Sequence, residues 1–76
     1  MDELDNQIIE VLSKQETPIK ISDLVKELES TYRINFVRAK VRRHADSLCR
    51  FKVLSRIPVK MHTRRTSIYG YSVVKE

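Results

Sequence analysis

Asn35-Phe36-Val37-Arg38-Ala39-Lys40-Val41-Arg42-Arg43-His44-Ala45-Asp46-Ser47-Leu48-Cys49-Arg50 carries apolar and basic residues at helical spacing. At 100° per residue, Val37, Val41, His44, Ala45 and Leu48 fall within roughly 100° of one circumference, the width of a buried helix stripe. The opposite arc carries Ala39, Arg42, Arg43, Asp46 and Arg50, with Arg38 on its flank. Asn35 is a residue type that caps helix N-termini, so the spacing predicts a helix from Phe36 to about Arg50. One face of this helix meets a core and the other meets something that tolerates several guanidinium groups.

Charge along the chain is segregated. Residues 1–32 hold three basic and eight acidic side chains, a net of −5. Residues 33–65 hold eleven basic side chains against Asp46 alone, a net of +10. The whole chain carries +5. Charge of one sign gathered on one segment draws polyanions, and phosphate is the expected counterpart. Asp46 lies four residues after Arg42, a helical spacing that lets it orient that side chain.

Upstream, Leu4, Ile8, Ile9, Val11 and Leu12 recur near helical spacing and predict a first helix from Asp2 to Lys14. Asp2 suits its cap, and Glu3 and Asp5 suit the positive end of the helix dipole. Gln15-Glu16-Thr17-Pro18 ends it, because proline cannot continue a helix and restricts the residue before it. Ile19-Lys20-Ile21 reads as a short extended segment. Ser22 then caps a second helix running to about Ser30, with Leu24, Val25 and Leu28 inward. Ser30-Thr31-Tyr32-Arg33-Ile34 reads as the turn before the basic helix.

Downstream, Ser55, Ile57, Val59 and Met61 alternate with Leu54, Arg56, Pro58 and Lys60, a strand pattern. Pro58 has no N–H, which places it at a sheet edge or on an unpaired side. Met61 to Ser67 is a polar connection. Ile68 to Val74 is rich in aromatic and β-branched residues and predicts the second strand of a hairpin with a basic tip. Tyr69 and Tyr71 share one face of that strand and are expected to pack behind the hairpin.

A chain of 76 residues is enough for one domain, 1–76, and leaves little volume for an enclosed catalytic cavity. No converging acid–base or nucleophile set is present, so the chain is not expected to be an enzyme. The one cysteine, Cys49, cannot make an internal disulfide, which points to a reducing interior. His44 and Cys49 are five apart and diverge around a helix, and no metal-ligand spacing occurs, so neither a metal nor a cofactor is expected. The acidic N-terminus and the lack of a long apolar run predict a cytoplasmic protein, or a nuclear one if its source has a nucleus, with no membrane partner. No small-molecule ligand is evident.

The order of elements, carried by Ile21-Ser22-Asp23-Leu24-Val25-Lys26-Glu27-Leu28, by Val37 to Leu48 and by Phe51-Lys52-Val53-Leu54, resembles a winged helix-turn-helix domain. The resemblance implies an α+β fold of three helices, a short strand and a C-terminal two-stranded hairpin, the wing. Members of this superfamily often carry glycine between the basic helix and the wing, where this chain has Arg50-Phe51-Lys52. The resemblance further implies double-stranded DNA as partner and a role in transcription regulation. The helix at about 35–50 would enter the major groove and the wing at about 60–67 would follow the backbone or the minor groove. The site residues so implied are Asn35, Arg38, Ala39, Arg42 and Arg43 on the helix, and Lys52, Arg56, Lys60, Arg64 and Arg65 on the corner and wing. A homodimer on two half-sites fits the same resemblance. A protein-interaction adaptor and an RNA-binding winged helix stand as alternatives.

Overall fold

A computed structural model describes residues 2–61 and 67–74, in the order α1 (Glu3–Ser13), β1 (Ile19–Lys20), α2 (Ile21–Tyr32), α3 (Arg38–Arg50), β2 (Leu54–Met61) and β3 (Ser67–Val73). The fold is a small α+β domain of three helices and a three-stranded antiparallel sheet in the order β1-β3-β2. β1 pairs with β3 through Ile19↔Tyr71 and Lys20↔Gly70, which ties the segment before α2 to the C-terminal strand.

Three helix faces and one sheet face meet in the core. Ile8, Val11 and Leu12 come from α1, Leu24 and Leu28 from α2, and Val41, Ala45 and Leu48 from α3. Leu54 and Tyr71 close the core from the sheet side. Removing such side chains from water is the main stabilising term in so small a domain. The α1 stripe at Leu4, Ile8, Val11 and Leu12 has the spacing that keeps side chains on one helical face. Asp2 caps α1 from an extended backbone, and its N–H donates to Asp5 Oδ2 at 3.3 Å. His44 sits at the core edge, with Nδ1 2.8 Å from Asp5 Oδ1, so α1 and α3 are joined by a polar contact as well as by packing.

Several boundaries differ from the sequence expectation. α2 begins at Ile21 and its cap position is Lys20, so Ser22 lies inside the first turn. The helix also runs on to Tyr32, past the expected stop at Ser30. Tyr32 lies four residues beyond Leu28 and extends the same stripe, and its Oη donates to Glu10 Oε2 of α1 at 3.0 Å. Burial first, and then the Glu10 carboxylate, raise the pKa of this phenol above its ordinary value. The helix ends at Arg33, whose φ of 57° places it in the left-handed region.

α3 starts at Arg38, three residues after the expected cap Asn35, and Val37 occupies the cap position. Two contacts hold the preceding chain out of the helix. The Phe36 N–H donates to Glu29 Oε2 at 3.0 Å, and the Phe36 ring meets Tyr32 edge-on at 6.5 Å. Val37 therefore precedes the helical stripe and is 67% exposed, not inward as its place on the helical wheel predicts.

The corner after α3 compensates for the missing glycine. Lys52 adopts φ 62°, the Lys52 N–H donates to the Cys49 carbonyl and the Val53 N–H donates to the Leu48 carbonyl. This is the hydrogen-bond pair of a Schellman motif, with lysine where glycine is favoured. Pro58 lies on the edge strand β2, as expected, next to a register shift between Pro58 and Lys60. The strands reach Met61 and start again at Ser67, so the connection expected over Met61–Ser67 is shorter.

Candidate nucleic-acid interface

The outward face of α3 is built by helical spacing alone. With Val41, Ala45 and Leu48 buried, residues on the opposite arc must point away from the core. Arg38, Ala39, Arg42, Arg43 and Asp46 line one open concavity there. Ala39 forms the low point between longer basic side chains.

A second groove runs between α3, the start of α2 and the sheet, with a volume of about 290 Å³. Arg38 and Arg42 border it from α3, Arg56 from β2 and Lys20 from β1. Tyr69 and Tyr71 line it from β3. The Arg56 guanidinium carbon lies 5.0 Å from the Tyr69 ring centroid, in the range where a cation is attracted to an aromatic face. The strand parity that puts Tyr69 and Tyr71 on one face was legible in the sequence. Their closeness to the arginines of α3 was not.

Asp46 links the two concavities. Its Oδ1 accepts a hydrogen bond from Tyr71 Oη at 2.7 Å and lies 3.8 Å from Arg56 Nη1. Its Oδ2 lies 3.9 Å from Arg42 Nε, the helical pair expected from the spacing. Tyr71 is only 4% exposed. Burial and the hydrogen bond to Asp46 push its phenol up from 10.0 to about 12, so it stays a donor at neutral pH. Burial, with Asp46 nearby, also raises the Cys49 thiol, and Arg56 offsets part of this. A nucleophilic thiolate requires the opposite shift.

Asn35 is exposed but lies in a separate depression with Leu4, Gln7 and Lys40, between α1 and the segment before α3. It is therefore not brought together with Arg42 and Arg43, because it precedes the helix and does not cap it. Lys52 is exposed at the α3–β2 corner. The backbone of Lys60 pairs with Ile68 in the sheet. Arg64 and Arg65 lie outside the described residues.

Among the described residues, the metal-ligating side chains show one grouping that the spacing did not reveal. Donor atoms of Asp2, Asp5 and His44 lie within 4.8 Å of one another. Both Asp5 oxygens already have partners, the Asp2 N–H and the His44 ring. Among the described residues, no helix is long and apolar enough to cross a membrane. Compared with known proteins, the chain matches no family model, no curated sequence and no solved structure.

Proposed function

We propose that this chain is a winged helix-turn-helix domain that binds double-stranded DNA and acts as a sequence-specific transcription regulator. The observation that carries the reading is the outward face of α3, where Arg38, Arg42 and Arg43 surround the small Ala39 on a helix packed firmly behind. A helix of this width fits the major groove, and an arginine can donate two hydrogen bonds to guanine O6 and N7. Ala39 allows close approach and suits contact with a thymine methyl group.

In this reading α2 supports α3, and β2 and β3 form the wing. Arg56 and Lys52 hold phosphates beside the groove, and Arg64 and Arg65, which lie between β2 and β3 in the sequence, follow the backbone or enter the minor groove. Phosphate contacts set affinity and orientation, while base-edge contacts set sequence. A homodimer on paired half-sites, and a cytoplasmic or nuclear setting, belong to the same proposal.

Selection of bound sequences from a random duplex pool tests it. Enrichment of a defined motif is the expected result, and a palindromic motif would establish the dimer as well. A pool that stays random while structured RNA competes fully would replace DNA by RNA as the partner. One further observation favours a protein partner: Ile34 and Val37 are exposed beside Leu4 and Phe36, away from the arginines. Stoichiometric capture of one protein, insensitive to nuclease and lost in Val37→Asp, would support an adaptor role.

A further inference from the structure

Asp46 is the one acid between Arg33 and Arg65. A carboxylate among groups that bind phosphate weakens affinity by repulsion, so its place on this face calls for a physical reason. It is not at the margin. Four helical residues from Arg42, it lies about 40° further round the helix, between Arg42 and Ala39. Its side chain is 40% exposed and opens onto the concavity of the outward face.

Its orientation is held from behind. Tyr71 Oη binds Oδ1 at 2.7 Å, and Arg56 Nη1 approaches the same oxygen at 3.8 Å. Oδ2 faces Arg42 Nε at 3.9 Å, beyond hydrogen-bond reach, and keeps its capacity to accept. A fixed acceptor therefore stands beside a long donor fork. In the major groove, a G·C pair shows the complementary set: acceptors O6 and N7 on guanine beside the N4 amino donor of cytosine.

We infer that Arg42 and Asp46 together read one G·C base pair, Arg42 donating to guanine and Asp46 accepting from the cytosine amino group, so that Asp46 determines specificity. The inference rests on the DNA-binding reading and deepens it. It also fixes an order of rejection. C·G sets Arg42 against the amino group and Asp46 against O6. A·T sets Asp46 against thymine O4. T·A offers Arg42 the O4 acceptor and Asp46 the adenine amino group, and is the mildest replacement.

The test uses the full chain and a duplex set in which each position of the selected site carries all four base pairs. Fluorescence anisotropy on wild type should show one G·C position where C·G or A·T lowers affinity roughly tenfold or more and T·A lowers it less. In Asp46→Asn the amide oxygen still accepts from Tyr71, but the acceptor-only character is lost. Discrimination at that position should shrink to less than about threefold, with the other positions unchanged and affinity for unrelated duplex raised. Tyr71→Phe keeps the charge and releases its anchor, so it should lower discrimination partly without raising that affinity. Circular dichroism melts verify the folding of each variant, and the Tyr71 variant decides the matter if the Asp46 variant does not fold. A folded variant with an unchanged base profile overturns the inference and leaves DNA binding standing. Wild type without affinity for any duplex at ~50 mM salt overturns the reading beneath it as well.

Discussion

Tyr71→Phe removes one oxygen from a ring that is 4% exposed and otherwise fits the same space. The lost contact is the 2.7 Å bond to Asp46, which joins β3 to α3. A hydrogen bond to a charged acceptor contributes about 1.5–3 kcal/mol, and the part-exposed carboxylate argues for the lower end. Near pH 7 the variant should lose about 1.5 kcal/mol, which lowers the melting temperature of a domain this size by roughly 6–12 °C. Alkaline pH reverses the order. The phenol is raised from 10.0 to about 12 in the folded state, first by burial and then by Asp46. Because the folded form holds its proton more tightly, its stabilisation is complete below the unfolded value and is lost as pH rises through the folded one. Two pH units correspond to about 2–3 kcal/mol, lost by wild type between about pH 10 and 12 and not lost at this site by the variant. Urea denaturation of both proteins from pH 7 to 12 gives the difference directly, since changes at other groups are common to both. The two stability curves should converge above pH 10 and cross at about pH 11. A difference that stays constant over the whole range would refute the tether.

Two further outcomes follow from the polar contacts and the backbone. Lys52→Gly should raise stability by about 0.5–1 kcal/mol, since relief of the left-handed conformation at φ 62° outweighs the added freedom of the unfolded chain. Lys52→Ala keeps the strain and should stay within about 0.5 kcal/mol of wild type, so thermal melts of the pair isolate the backbone effect. His44→Ala leaves the part-buried Asp5 oxygen without its 2.8 Å partner and should cost about 1–3 kcal/mol. The check is a lower urea midpoint with an unchanged slope.

Element types were legible in the sequence wherever a period was clear. The stripe Val41, Ala45 and Leu48 identifies α3 and its basic face, and the alternation after Leu54 identifies β2. Boundaries were less legible because contacts distant in sequence decide them. Tyr32 stays helical while bonded to Glu10, 22 residues away, and Phe36 stays extended while held by Glu29. Tyr32 did leave a signal, as the next position of the Leu24–Leu28 stripe. The Asp46–Tyr71 bond spans 25 residues and leaves no local pattern, so the sequence shows the Arg42–Asp46 pair but not what holds it. The left-handed Lys52 ran against residue preference, since the buried Leu48 and Leu54 on either side fix where the chain must turn.

The proposal that the outward face of α3 and its neighbouring cations bind duplex DNA predicts a steep salt dependence. Fluorescence anisotropy gives the affinity of the chain for a duplex as salt rises from ~50 to ~200 mM. With about five phosphates engaged, log affinity should fall against log salt with a slope of about −4 to −5, a loss of roughly several hundredfold over that range. Arg43→Ala should weaken binding and, if this residue holds a phosphate, reduce the slope by about 1. No binding at ~50 mM salt, or an affinity indifferent to salt and to Arg43, would rule out DNA binding by this face.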